Sequence, residues 1–194
     1  MVSDNPNLAI PAALTSQRRG EWIETYTGRQ FWPLDPHFGD VSIIDIAHAL
    51  ANKCRFSGHT TRFYSVAQHS VLVSRHVPKE HALWGLLHDA AEAYLPDVAS
   101  PLKNHLPGFR DFESGVGRAI AERFRLPWPM PAEVKRADKA ILADERRAVM
   151  PRTHRKWDYL TERPLGIRIH PVMPQAAELA FLARFAELTE PGGV

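Results

Sequence analysis

Six stretches of this chain carry apolar residues at helical spacing, and prolines or a glycine-containing loop separate most of them. Apolar residues three to four positions apart lie on one face of an α-helix, where they can pack into a core. Proline ends a helix because it lacks an amide hydrogen and its ring clashes with the preceding turn. The pattern predicts an all-α bundle of about six helices, at about residues 43–53, 65–73, 79–94, 109–124, 131–149 and 174–188.

A small β element is predicted before the first helix. Aromatic residues flank Thr27-Gly28, a pattern typical of a β-hairpin with glycine at its turn. The residues before it lack periodicity and are rich in Asn, Pro, Ala and Ser, which indicates a flexible tail. The predicted units are a tail at 1–20 and a single domain at 21–194, divided into a hairpin at 21–34, a helical core at about 41–150 and a C-terminal loop and helix at 151–190.

Length and composition indicate a globular protein without disulfides or membrane spans. The 194 residues suffice for one core, and 44% of them are hydrophobic, which is typical of folded domains. The single cysteine, Cys54, cannot form an internal disulfide, and no apolar leader follows Met1. No window approaches the roughly eighteen apolar residues that a transmembrane helix needs. We therefore expect a cytoplasmic protein without a membrane partner.

Metal-ligand residue types occur inside three of the predicted helices. His69, the pair His88-Asp89 and Asp138 each lie within an apolar run rather than in a loop. Burying imidazoles and carboxylates without partners costs free energy, so side chains that turn inward need a metal ion or a charge network. Ligands that face a bundle core are a known way to build such a site. The alternative is that the pair lies on the solvent side near a helix C-terminus, where the helix dipole favours histidine.

Glu92 adds an acid to the same predicted helix face. It follows His88 by four residues and Asp89 by three, and such spacings place side chains next to one another on a helix. Two histidines, two aspartates and a neighbouring glutamate can bind a divalent ion and take a proton from its bound water. The pattern therefore indicates a metal-dependent hydrolase. This donor set suits Zn, Mn, Co, Fe or Ni.

The order of these residues resembles the H…HD…D signature of the HD-domain metal-dependent phosphohydrolases. Further matches look like the bacterial 5'-deoxynucleotidase branch, which includes phage-encoded deoxyadenosine triphosphate triphosphohydrolases. The resemblance covers about residues 43–148. It implies an HD-domain helical bundle, a small deoxynucleotide substrate and a homo-oligomer, either a dimer or a larger assembly. The further matches are Arg55-Phe56, the stretch from Ser65 to Ser70, His88-Asp89-Ala90-Ala91-Glu92, Asp97 and Pro101-Leu102-Lys103.

The resemblance also implies which role each residue has at the metal centre. Glu92 matches the acid that orients or activates water, and Asp97 matches a second acid near the leaving group. The implied metal ligands are His69, His88, Asp89 and Asp138.

Substrate contacts are implied before and after the ligands. Arg55 and Lys103 match cations that hold phosphate, and Phe56 stands where relatives commonly have a tryptophan that packs against the nucleoside. His59 falls near the base and sugar, and Arg62 lies near the predicted mouth of the site. An arginine fork and a lysine ammonium are both suited to balancing phosphate charge.

These features predict a phosphohydrolase that cleaves the 5' phosphoester of a deoxyribonucleotide and releases the nucleoside. The second product would be phosphate for a monophosphate 5'-nucleotidase and triphosphate for a dNTP triphosphohydrolase. A different class is a regulatory HD module that senses a nucleotide without hydrolysing it. Glu92, Asp97 and Lys103 beside four ligands favour the enzyme, because a sensor needs no water-activating acid.

A basic stretch follows the metal-ligand residues in the sequence. Such a stretch can bind nucleic acid, but the net charge of only +2 favours a solvated face or additional phosphate-binding cations. Nucleic acid is therefore not the expected partner. The basic residues are Arg146, Arg147, Arg152, Arg155 and Lys156.

Overall fold

Helices dominate the structure, as the apolar spacing predicts. The computed structural model describes residues 18–155, 157–158 and 160–190. In that part the strands are β1 (Ile23–Glu24) and β2 (Gln30–Phe31), and the α-helices are α1 (Ile43–Asn52), α2 (Val66–Arg75), α3 (Ala82–Leu87), α4 (Ser100–Lys103), α5 (Phe109–Arg123), α6 (Ala132–Val149) and α7 (Pro174–Thr189). The predicted all-α class with a small hairpin is confirmed. None of the described helices is long and apolar enough to cross a membrane.

The hairpin is fixed to the helices by one buried ring and one buried carboxylate. Gly28 adopts the left-handed conformation at the turn, with φ 75°, which glycine tolerates without steric cost. On the second strand Phe31 is fully buried and stacks on Tyr94, with 3.8 Å between ring centroids. The backbone N–H of Thr27 donates to Asp45 Oδ1 on α1 at 2.7 Å. The hairpin is therefore part of the helical domain.

Serine residues cap the N-termini of α1 and α2, the two helices on either side of the loop that contains Arg55. Ser42 is the N-cap of α1, and the hydroxyl of Ser65 accepts from the backbone N–H of Gln68 at 3.1 Å in α2. Such caps satisfy amides that have no partner within the helix. The Gln68 side chain does not complete a capping box, because it donates to His170 O at 2.7 Å and accepts from Val172 N at 3.1 Å. It therefore ties α2 to the segment before α7.

The predicted third helix is divided, so the prediction of one continuous helix there is wrong. Short 3-10 turns at Lys79–His81 and Ala90–Ala93 flank α3. Adjacent residues on an α-helix point about 100° apart, which would direct His88 and Asp89 to different sides. The backbone leaves the helix at Asp89 (φ −98°, ψ 9°), and both side chains then reach one point.

A close approach of α2 and α3 brings two histidines together. A Cβ atom at Gly85 would lie 2.9 Å from Ser74 Cα, which is less than the normal separation of non-bonded carbons. Glycine therefore lets α3 lie against the backbone of α2. His69 on α2 and His88 just after α3 then have ring centroids 5.0 Å apart.

The predicted N-terminal tail lies mostly outside the described residues, which begin at Arg18. Arg18, which the prediction placed in the tail, is held in the fold. Its guanidinium contacts Asp35 Oδ2 and Asp40 Oδ2, each at 2.8 Å, and lies 4.3 Å from the Trp32 ring centroid.

Candidate metal centre

Three metal-ligand side chains converge from separate parts of the sequence. His69 comes from α2, His88 from the end of α3 and Asp138 from α6, and one ligand atom of each lies within 4.8 Å of the others. His69 Nε2 is 3.1 Å from His88 Nε2 and 3.2 Å from Asp138 Oδ1. These three residues could hold a metal ion.

Asp89 borders this group on the His88 side. Its Oδ2 atom lies 3.2 Å from His88 Nε2 and 3.7 Å from His69 Nε2. The structure therefore brings all four predicted ligands to one centre, with three in the compact group and Asp89 beside it.

Both imidazoles present the same nitrogen to the centre because their other nitrogen is engaged. His88 Nδ1 donates to the carbonyl oxygen of Gly85 at 2.9 Å, and His69 Nδ1 lies 2.7 Å from Glu145 Oε1. A neutral imidazole with its proton on Nδ1 offers the Nε2 lone pair to a metal. In the metal-free protein burial lowers the pKa of His88, but Asp89 and Asp138 outweigh it and hold that pKa well above 6.5, so a metal ion would displace the Nε2 proton. The donor set and its orientation therefore fit a divalent transition-metal ion.

Glu145 on α6 forms a hydrogen bond with His69. It was not predicted from the sequence. It is fully buried and also accepts from Tyr64 Oη at 2.9 Å and from Arg55 Nη2 at 3.0 Å. Burial alone would raise the pKa of Glu145, but Arg55 and His69 lower it to about 2. The carboxylate is therefore ionised and accepts a hydrogen bond from the Nδ1–H group of His69. The available signal was its spacing of seven residues from Asp138, since two helical turns return to the same face.

The carboxylates at the centre are held in their charged form. Burial opposes ionisation of Asp89, but His88 outweighs it and lowers the Asp89 pKa to about 2. Burial likewise opposes ionisation of Asp138, yet bonds to His69 and His88 hold its pKa well below the usual value. Deprotonated carboxylates are the form that binds a cation.

Glu92 is the exception among the acids of the site. Burial, together with the charges of Asp89 and Asp97, raises the Glu92 pKa to about 8. Its turn, Ala90–Ala93, is held by Lys53, whose ammonium donates to the carbonyl oxygen of Glu92 and, at 2.7 Å, to that of Leu95. Lys53 could not be placed in the site from the sequence, because 39 residues separate it from Glu92.

Arg55 and Phe56 lie beside the candidate metal ligands. Arg55 Nη1 is 3.5 Å from Asp89 Oδ2, and the Arg55 side chain is only 14% exposed. The guanidinium carbon lies 5.3 Å from the Phe56 ring centroid, and that ring is 5.7 Å from the ring of Trp157. Phe56 and Ser57 have φ of 55° and 52°, a conformation that costs free energy for residues other than glycine and often marks a functional site.

The remaining predicted contacts are less closely tied to the centre. Lys103 Nζ pairs with Glu113 Oε1 at 2.6 Å, so its ammonium is engaged on α5. Asp97 is exposed, but its charge contributes to the pKa values of Glu92 and Lys53.

His59 and Arg62 are exposed, and their side chains form no hydrogen bond or ion pair within the described residues.

Two bacterial proteins are similar to this chain over most of their length. YfdR of Escherichia coli K12 is 40% identical over 171 residues, which cover 87% of this chain and 96% of YfdR. RCAP_rcc00048 of Rhodobacter capsulatus is 36% identical over 184 residues, which cover 84% of this chain and 93% of the relative. Both are described as uncharacterized proteins. No protein-family model matches the chain.

Proposed function

The chain belongs to the family of these two bacterial proteins, and we propose that it is a metal-dependent phosphohydrolase of the HD-domain class that acts on deoxyribonucleotides. The observation that carries the proposal is the convergence of His69, His88 and Asp138 within 4.8 Å, with Asp89 beside them. The resemblance in the order of these residues supplies the substrate class.

The four ligand residues would hold a divalent cation. Such an ion lowers the pKa of bound water and offsets the negative charge of a phosphate group. Glu145 and the Gly85 carbonyl keep both imidazoles oriented for this role. Orientation by a hydrogen-bonded partner raises the basicity of a histidine ligand and fixes its tautomer.

Glu92 is the proposed proton carrier. In the metal-free protein burial and the charges of Asp89 and Asp97 raise its pKa to about 8. A cation held by Asp89 would offset one of these charges and lower the Glu92 pKa toward neutral pH, where a carboxyl group can both take up and release a proton. In the proposed reaction the water oxygen bonds to phosphorus and the bond from phosphorus to the 5' oxygen breaks. Glu92 accepts the proton of the water and passes it to the leaving 5' oxygen.

Arg55 is the proposed phosphate contact. Its Nε atom is buried and has no hydrogen-bond partner among the described residues, so one donor of the fork is free. A buried donor without a partner is costly, and a phosphate oxygen would satisfy it once the Arg55 side chain shifts to expose this atom. Lys103 would have to leave Glu113 to make the same contact, so we assign it a smaller part in substrate binding.

Product analysis tests the proposal and identifies the leaving group. We expect turnover of a deoxynucleotide panel by purified protein supplied with Mn, Co or Zn. Orthophosphate from dAMP would identify a 5'-nucleotidase, and tripolyphosphate from dATP would identify a triphosphohydrolase. Binding of metal and nucleotide without turnover would instead support the sensing module, and no binding at all would contradict both.

A further inference from the structure

A cavity lies at the C-terminal end of α6, apart from the metal centre. Its volume is about 630 Å3, and none of the metal-centre residues lines it. Among the described residues that line it, four are basic and none is acidic. The basic members are Arg146, Arg147, Arg152 and His154.

The positive charge around this cavity is only partly neutralised. Arg147 pairs with the buried Asp144. Arg146 donates to the backbone carbonyl of Arg155, which carries no net charge. Arg152 and His154 form no ion pair within the described part of the chain. At least two arginine charges, those of Arg146 and Arg152, therefore have no carboxylate partner there.

The helix dipole does not account for this arrangement. Cations in the last turn of a helix are stabilised by its carbonyl groups, which explains Arg146 and Arg147. Arg152 and His154 come after α6 ends at Val149 and lie outside the last turn, where the effect of the dipole has faded. Their convergence with the two helical arginines on one cavity needs another explanation.

The cavity also has an apolar part. Ala143, Met150 and Leu160 line it and are half-buried, whereas Arg147, Arg152 and His154 are exposed. The charges therefore lie toward solvent and the apolar groups deeper. Small-molecule pockets combine an apolar lining with a few charged groups and span about 300–1,000 Å3.

We propose that this cavity is a second phosphate-binding site that takes a small phosphorylated molecule. Arginine forks match phosphate oxygens in geometry as well as in charge. A nucleic-acid strand is disfavoured, because it would need cations spread along an extended groove and these converge on one cavity. The proposal does not depend on the hydrolysis proposed for the metal centre.

Calorimetric titration with inorganic tripolyphosphate, in the presence of a chelator that keeps the metal centre empty, tests this site. We expect Arg152→Glu to weaken binding at least about tenfold, because a charged hydrogen bond is replaced by repulsion. Arg168→Glu is the matched control. Arg168 is also exposed in the segment after α6 and does not line the cavity, so we expect unchanged affinity.

Further arms of the titration separate the ligand classes. Arg152→Gln removes the charge without reversing it and should weaken tripolyphosphate binding by an intermediate factor. Tighter binding of dATP than of tripolyphosphate, lost in Arg152→Glu, would identify a nucleotide as the ligand of this cavity, and equal binding would identify the phosphate chain alone. The proposal would be overturned by equal losses in the Arg152 and Arg168 variants, by no tripolyphosphate binding, or by tighter, strongly salt-dependent binding of single-stranded DNA.

Discussion

At the scale of single residues, Glu145 determines how His69 is presented to a metal. One carboxylate serves His69, Tyr64 and Arg55 at 2.7, 2.9 and 3.0 Å. Because Glu145 is fully buried, this network depends on its charge rather than on solvent. The metal affinity and the stability of the domain should therefore both respond to this residue.

We predict that Glu145→Gln weakens metal binding by about 10- to 100-fold, the usual effect of removing a partner of a histidine ligand. It should also destabilise the metal-free protein by about 2 kcal/mol, because Arg55 loses a charged acceptor. Competition titration with a metal chelator and urea unfolding measure the two effects. Glu133→Gln is the control, because its carboxylate on α6 makes an exposed pair with Arg136. Exposed pairs contribute little to stability, so we expect metal affinity to be unchanged and stability to change little.

The pH dependence of the Glu145 contribution has a defined sign. Its folded-state pKa of about 2 lies below the ordinary value of 4.5, so the folded protein binds this proton less tightly than the unfolded chain. The stabilisation is fully present above the unfolded-state pKa and is lost as pH falls through the folded one. The stability difference between wild type and Glu145→Gln should shrink in acid, and a difference constant from pH 7 to pH 2 would contradict the account.

The contribution of Glu92 to stability has a pH dependence of the opposite sign. Its folded-state pKa of about 8 lies above the ordinary 4.5, so the folded, metal-free protein is stabilised by the proton and loses that stabilisation as pH rises through 8. We predict that, with chelator present, wild type becomes less stable than Glu92→Gln as pH rises from about 4.5 to about 8. Urea unfolding at a series of pH values checks it, and parallel curves would show that Glu92 is not buried among carboxylates.

At the scale of elements, the contact of α3 with α2 sets the position of His88. We predict that Gly85→Ala destabilises the domain by about 1–3 kcal/mol, the usual cost of overpacking, because its Cβ would meet Ser74 Cα at 2.9 Å. Metal affinity should fall as well, since α3 carries His88 away from His69. Gly39→Ala is the control, because a Cβ there meets nothing within 4 Å. Equal metal affinity in both variants would mean that this contact does not position the ligand.

A comparison of α3 with the other helices shows what the sequence could and could not predict. Helices with serine caps or proline boundaries, such as α1 and α6, follow from local chemistry and were predicted to within about two residues. The break at Asp89 could not be predicted, because it follows from the contact with α2 and not from the local residues. The four residues proposed as metal ligands could be picked out from their type and order, whereas Glu145 and Lys53 make their contacts across 76 and 39 residues.

At the scale of the whole molecule, the candidate metal centre joins α2, the end of α3 and α6. An ion that binds only the folded state should therefore stabilise the entire domain. At a concentration about 100 times its Kd the gain is about 2.7 kcal/mol, or a rise in Tm of roughly 5–10 °C for a domain of this size. We predict this rise for wild type and its loss in Asp138→Asn, measured by thermal unfolding with and without Mn, Co or Zn.

The most direct test of the central claim is the release of phosphate or tripolyphosphate from a deoxynucleotide by metal-loaded wild type and Glu92→Gln. We predict product from wild type, which chelation abolishes. Glu92→Gln should retain its metal and nucleotide affinity but lose at least about a hundredfold in rate, the lower range for removing a general acid or base. Unchanged turnover in Glu92→Gln, or no product from wild type with any of the three metals, would contradict it.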